Sequence, residues 1–228
     1  MILAAGRGER MRPLTDHTPK PLLEVGTKPL IVWHIENLKK AGFNEIVINH
    51  AHLGTQIEAY LGDGSAWDVS IQYSPEVTAL ETAGGIAHAL HLLEGPAIKR
   101  EAFLVVNADI FTDFDFASLA SALHAPNLAH LVMINNPPQH VHGDFAFESV
   151  NQNKLTLDGA NKLTFSGIGV YHPDLFNSIA PGQTAQLAPL LKASMANGLV
   201  TGQHYQGLWH DIGTPQRLNE LDALLRVV

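Results

Sequence analysis

The sequence contains no cysteine. That excludes disulfide cross-links, thiolate metal sites and a cysteine nucleophile. It also lacks a long apolar run, since none approaches the ~20 residues needed to cross a bilayer. No signal-peptide layout opens the chain, because Gly6 and Arg7 end the first apolar stretch after five residues. A cytoplasmic location and no membrane partner are the expectations. Cations are scarce, with 14 Lys plus Arg against 22 Asp plus Glu and a formal net charge of −8. A chain of that sign is poorly suited to tracking a nucleic-acid backbone, so no nucleic-acid partner is expected. The 228 residues are 46% hydrophobic and 16% charged. Such a composition describes an ordinary globular protein, long enough to bury a sizeable core.

The few cations are unevenly placed. Arg7, Arg10, Arg12 and Lys20 lie in the opening segment MILAAGRGERMRPLTDHTPKPL. There a short apolar strand runs into a loop with glycines at 6 and 8. Gly6 and Gly8 let the backbone turn tightly and approach a ligand closely, and successive N–H groups in such a loop make a concavity for an anion. A basic loop on an acidic chain points to a small polyanion. It is not a Walker loop, because Lys20 lies twelve residues after Gly8. Nor is it the dinucleotide fingerprint, because Met11 stands where the third glycine is needed. The histidine pairs His50/His52, His88/His91 and His140/His142 have ligand-like spacing but fall on separate segments, and no HExxH occurs.

Strand and helix patterns alternate from Met1 to Asn135. Strands are expected at Met1–Ala5, Glu45–Asn49, Val69–Tyr73, Ala102–Asn107 and Leu128–Asn135. Helices are expected at Pro29–Ala41, Thr55–Leu61, Gly85–Leu93 and from Asp115 to near His124. The fold class that follows is α/β: a Rossmann-like, mostly parallel sheet flanked by helices. After Pro137 and Pro138 the pattern changes to short strands at Phe145–Val150, Lys154–Leu157 and Leu163–Tyr171. These read as a mixed β insertion, followed by helices at Leu187–Asn197 and after Thr214. One domain over 1–228 is expected, with residues to about 135 serving the nucleotide and those from about 136 serving a second substrate. In such folds ligands gather at the carboxyl ends of strands, where Gly6, Asn107 and Asp109 all fall.

Arg10, whose guanidinium fork suits two phosphate oxygens, is the candidate for neutralising a polyphosphate. Lys20, in the PKP segment, can serve as a point charge. Asp109 ends the apolar strand FLVVNAD, and Asp211 lies in GLWHDIGTP between a strand and a helix. Magnesium takes one or two carboxylates plus phosphate oxygens and water, so this pair is the candidate metal site.

The stretch LAAGRGERMRPLT followed by PKPLLEV resembles the signature of sugar-1-phosphate nucleotidyltransferases, unbroken from Leu3 to Val25 except for Glu24 in place of the usual proline. NAD at 107–109 stands where the family has NGD, and WHDIGT matches its second aspartate segment. The resemblance implies Mg2+-dependent transfer of a nucleotidyl group from a nucleoside triphosphate, UTP favoured, to a sugar 1-phosphate. It places Arg10 and Lys20 as catalytic and Asp109 and Asp211 as metal ligands. Leu3, Ala4, Ala5, Gly6 and Gly8 contact the nucleotide, with Glu76 facing the base beside Glu81, Thr82, Ala83 and Gly84. Asn107, Gly143, Asp144, Thr164, Ser166 and Gly167 border the sugar. Uracil and guanine both stay open on the pocket residues, since Glu76 can accept from either base. Glu81 replaces a glycine common in the family. Many relatives carry a Glu-Lys pair near the second sugar segment, where this chain has LTFSG, which suggests a different or bulkier sugar. A mannose-1-phosphate guanylyltransferase or another hexose-1-phosphate nucleotidyltransferase, and a silent nucleotide-sugar sensor of the same fold, are the alternatives.

Overall fold

The computed structural model describes residues 1–94, 100–148 and 153–226. Along the chain the elements are β1 (Ile2–Leu3), β2 (Glu24–Val25), β3 (Lys28–Pro29), α1 (Leu30–Lys40), β4 (Glu45–His50), α2 (Gly54–Leu61) and β5 (Ser70–Pro75). There follow α3 (Glu81–Leu93), β6 (Phe103–Asn107), β7 (Ile110–Thr112), β8 (Ala129–Ile134), β9 (Ala146–Phe147), β10 (Leu155–Thr156) and β11 (Thr164–Tyr171). The chain closes with α4 (Leu187–Ala196), β12 (Val200–Tyr205), β13 (Trp209–Asp211) and α5 (Pro215–Arg226). The fold is α/β, with a mixed, mostly parallel sheet and flanking helices.

Two compact units divide the chain, and they interleave. The first holds Met1–Ala79, Asn107–Ala117 and Leu208–Val228; the second holds Leu80–Val106 and Ser118–Gly207. The boundary expected near residue 135 therefore lies inside the second unit. The first unit gathers three distant stretches because their apolar residues share one core. Met11, Leu23, Val25, Leu30, Phe111, Ile212, Leu218 and Leu221 form a buried cluster, with Trp33, Leu208 and Leu225 packed against it. In this unit β1 pairs in parallel with β4, and β4 with β5. β7 and β13 make an antiparallel ladder, with Asp211 opposite Ile110. Helix α5 is tied to the β2–β3 hairpin where Gly26 N–H donates to Asp222 Oδ1 at 2.8 Å. The Arg226 guanidinium and that N–H hold the Asp222 carboxyl below the usual carboxylate range.

In the second unit β12 pairs in parallel with β8, while β11 is antiparallel to both β8 and β6. The strand expected at Phe145–Val150 is confined to Ala146–Phe147 over its described part, and residues 149 and 150 lie outside the described residues. The helix expected from Asp115 is a single 3-10 turn, Phe116–Leu119. Phe116 and Leu119 are buried, but no residue from Ala120 to His124 is. A longer helix there would have no apolar stripe to hold it.

Candidate active site

The opening loop leaves β1 at Ala4. Ala4 N–H donates to the side-chain Oδ1 of Asn49 at 3.0 Å and to its carbonyl at 3.2 Å. Beyond it, the N–H groups of Gly6, Arg7 and Gly8 have no hydrogen-bond partner among the described residues. A Cβ on Gly6 would meet nothing within 4 Å, so the backbone there faces open space. Gly8 has φ +70°, a left-handed conformation that suits glycine. Thr15 locks the turn by donating its hydroxyl to Gly8 O at 2.8 Å. The cradle of donors expected for a phosphate is therefore present as backbone.

The cations around the cradle differ in what holds them. Arg12 contacts Asp16 at 2.9 Å, and Arg7 lies near Glu9 and Asp16 while donating to Thr15 O at 3.0 Å. Both are engaged on the surface. Arg10 is exposed and has no ion-pair partner among the described residues. Lys20 is the reverse: its side chain is only 9% exposed, and its ammonium donates to Asp109 Oδ2 at 2.7 Å. Asp109 is brought there by two backbone bonds. Ala108 N–H donates to Leu3 O at 2.9 Å, and Ile212 N–H donates to Asp109 O at 2.9 Å.

The second of those bonds also delivers Asp211, so the two expected metal ligands, far apart in sequence, sit at one end of the β7–β13 ladder. Asp211 Oδ2 is paired with the Arg217 guanidinium. At Gly213 an added Cβ would lie 3.0 Å from Arg217 Nη1, 3.1 Å from Arg10 Nη2 and 3.2 Å from Asp211 Oδ1. Arg10, Arg217 and Asp211 thus converge on a backbone position that has no side chain of its own. Three cations and two carboxylates meet here, and their surplus positive charge suits a polyphosphate. Among the described residues no group of three or more His, Asp or Glu side chains is placed to hold a metal alone. Two carboxylates are what a cation sharing its shell with phosphate oxygens and water requires, so the donor set fits Mg2+.

Behind the ladder His34 is buried, with Nε2 2.8 Å from Ile110 O. Burial pushes its pKa down to about 4, so the ring is neutral at pH 7. Nε2 then carries the proton and donates to the carbonyl that follows Asp109.

Glu76 follows β5, 7% exposed, and accepts from Asn49 Nδ2 at 2.7 Å. Asn49 therefore links the Glu76 carboxylate to the first turn of the phosphate loop. Neither Asn49 nor Arg217 was among the residues expected from the sequence. Asn49 left no signal, since it is one polar residue inside an apolar strand. Arg217 did leave one. It lies in the first turn of a helix, where the helix dipole disfavours a cation unless a carboxylate stands by.

In the second unit the segment expected to meet the base is the first turn of α3, not a loop before it. The N–H groups of Ala83 and Gly84 both donate to Ala185 O, at 2.9 and 3.0 Å. They are thus already engaged, while Thr82 and Glu81 stay at least partly exposed. A Cβ at Gly84 would fall 2.4 Å from Gln183 O, so that glycine is required by packing. Glu81 has φ +61°, the left-handed region that the family's glycine would occupy without strain.

The expected sugar residues of this unit are brought together. Asp144 Oδ2 accepts from Phe165 N–H at 2.8 Å, and Thr164 donates to Asn136 Oδ1 at 2.8 Å. Asn136 Oδ1 in turn lies 2.8 Å from where a Gly143 Cβ would be, and Gly143 has φ +61°. Ser166 and Gly167 form the irregularity where the β11–β8 register shifts. These bonds make Asp144 and Thr164 framework as well as candidate contacts. A cavity of about 1030 Å³ in the same unit is lined by other residues, among them Glu148, Thr156, Asp158, Asn161, Gln203 and His204. With no Lys or Arg among the described residues of its lining, it suits hydroxyls and amides better than phosphate.

Comparison with known proteins gives the family. The chain is 55% identical over 228 residues to the N-acetylmuramate alpha-1-phosphate uridylyltransferase of Neisseria meningitidis serogroup B, covering 98% of this chain and 96% of that protein. It is 32% identical to the protein of the same name from Caulobacter vibrioides, covering 99% and 96%. Against the mannose-1-phosphate guanylyltransferase catalytic subunit beta of Dictyostelium discoideum it is 30% identical, covering 95% of this chain and 61% of that one. Among solved structures, HddC from Yersinia pseudotuberculosis complexed with GMP-PN shares the fold at a TM-score of 0.76 and 17% identity, covering 98% and 97%. The nucleotidyl transferase family model matches residues 1–226, and the chain belongs to that family.

Proposed function

We propose that this protein transfers the uridylyl group of UTP to N-acetylmuramic acid 1-phosphate, giving UDP-N-acetylmuramic acid and pyrophosphate. The observation that carries this reading is the 55% identity, end to end, to an enzyme named for that reaction. A phosphate oxygen of the sugar phosphate attacks the α-phosphorus of UTP, and the α–β bridging P–O bond breaks to release pyrophosphate. The nucleophile is already an anion, so no general base is needed. Catalysis then rests on alignment and on charge placed where it develops.

The residues divide this work. The free N–H groups at Gly6 to Gly8 hold the triphosphate, and Arg10 neutralises its departing end. Lys20, buried and fixed by Asp109, presents its ammonium between the α-phosphate and the incoming sugar phosphate. Glu76, anchored through Asn49, accepts from the base, and Glu81, Thr82, Ala83 and Gly84 are the base contacts that the second unit supplies. Asn107, Gly143, Asp144, Thr164, Ser166 and Gly167 border the sugar. Asp109 and Asp211 would hold Mg2+, which when bound polarises the α-phosphate and screens pyrophosphate charge.

The test is pyrophosphate release across a panel of nucleoside triphosphates and sugar 1-phosphates. Turnover with UTP and N-acetylmuramic acid 1-phosphate is expected. Turnover with GTP and mannose 1-phosphate, and none with the first pair, would overturn the reading.

A further inference from the structure

Arg217 stands where a helix normally keeps cations away. It is the third residue of α5, and the positive end of the helix dipole opposes its charge. Asp211 Oδ2 compensates it directly. The arrangement repeats at the neighbouring carboxylate, where Lys20 takes Asp109 Oδ2. Each carboxylate at this end of the ladder is thus already matched by a protein cation. A divalent cation that binds Asp211 must share that carboxylate with a guanidinium already on its Oδ2, or displace it. Once it has done so, a permanently charged group is left without its partner at 3.0 Å from the Gly213 Cβ position, beside Arg10 at 3.1 Å. Gly213 itself is buried beneath these side chains, and Arg10 is the exposed one of the two cations, so a polyphosphate that reaches Arg10 comes next to Arg217.

We propose that Arg217 is a positioning residue that couples the divalent cation to the triphosphate. It holds Asp211 while no cation is bound, and it turns to the phosphate chain when the cation takes that carboxylate. The inference rests on the reading of Asp109 and Asp211 as metal ligands. Coupling of this kind is reciprocal, so nucleotide must raise metal affinity by the factor that metal raises nucleotide affinity.

The experiment uses the full chain as wild type, Arg217→Gln, Arg217→Met and Arg217→Lys, each first checked by thermal melting. Gln keeps a donor for Asp211, and Met keeps the aliphatic stem, so one uncharged variant remains if the other fails to fold. Mn2+ binding is measured by electron paramagnetic resonance without nucleotide. UTP binding is measured by calorimetry with and without Mn2+, with no sugar phosphate present so that nothing turns over. In the uncharged variants Mn2+ alone binds more tightly, on the order of tenfold, and the gain in UTP affinity on adding Mn2+ falls by a similar factor. Arg217→Lys stays close to wild type. Equal Mn2+ affinity and undiminished coupling in the uncharged variants would refute the inference while leaving the metal site intact. A wild type that binds no Mn2+ even with UTP would remove the metal reading itself, and this inference with it.

Discussion

Lys20 is nearly withdrawn from water and has, among the described residues, Asp109 as its one carboxylate partner. Replacing Asp109 with Asn removes that partner's charge. Because Asp109 is 40% exposed, water screens part of the loss, and a cost of about 1–2 kcal/mol is expected in urea unfolding. Turnover suffers more, since both the ammonium's position and a metal ligand go. A drop of on the order of a hundredfold in kcat is expected, and unchanged kcat would take Asp109 out of the chemistry. Glu81 offers the opposite case. Its φ of +61° costs a side-chain-bearing residue about 1 kcal/mol relative to glycine. Glu81→Gly should therefore raise the melting temperature or leave it unchanged despite glycine's greater freedom in the unfolded chain. A fall of several degrees would mean that the Glu81 side chain makes a compensating interaction.

Among the elements, the core anchors the backbone of the catalytic candidates, while the Lys20–Asp109 and Arg217–Asp211 pairs fix their side chains. Arg10 precedes Met11, Asp109 lies two residues before Phe111, Asp211 precedes Ile212 and Arg217 precedes Leu218. All four apolar residues belong to one buried cluster. Ile212→Ala should cost about 2–4 kcal/mol and lower turnover beyond what reduced folding explains, because Asp211 loses its footing. Retained kcat at a temperature where the variant is fully folded would contradict this. His34 underpins the same ladder and gives it a pH dependence. Its folded pKa of about 4 lies below the ordinary 6.5, so between those values the unfolded chain takes up the proton first. The contribution is complete above pH 6.5, declines as pH falls toward 4, and reaches about 3 kcal/mol in full. His34→Gln keeps a donor for Ile110 O without titrating. Its stability should fall less steeply than that of wild type between pH 7 and 4.5 in urea titrations, and parallel slopes would remove His34 as the cause.

For the whole molecule, the interleaved units carry the consequence. The first unit is completed only by Leu208–Val228, which supplies Ile212, Leu218 and Leu221 to its core. A chain ending at Gly207 should lack cooperative unfolding of that unit by circular dichroism, even though it keeps the whole phosphate loop. A sharp melt at the wild-type temperature would show the last segment to be dispensable. The expectation of a nucleotide part up to about residue 135 came from reading the chain in order. Hydrophobic periodicity reports which face of a segment is buried, but not against what. Only the three-dimensional pairing of β7 with β13 reveals that the last segment belongs with the first.

The sequence by itself determined the alternation of strands and helices, the basic glycine loop and the identity of Arg10, Lys20, Asp109 and Asp211. Each of these is written in local order: periodicity, turn residues, and a motif from Leu3 to Val25. The convergence of those residues, the capture of Lys20 by Asp109 and the role of Asn49 were decided by tertiary structure alone. They depend on pairs up to about two hundred residues apart, and nothing in a chain's local pattern fixes which distant carboxylate a buried cation will find.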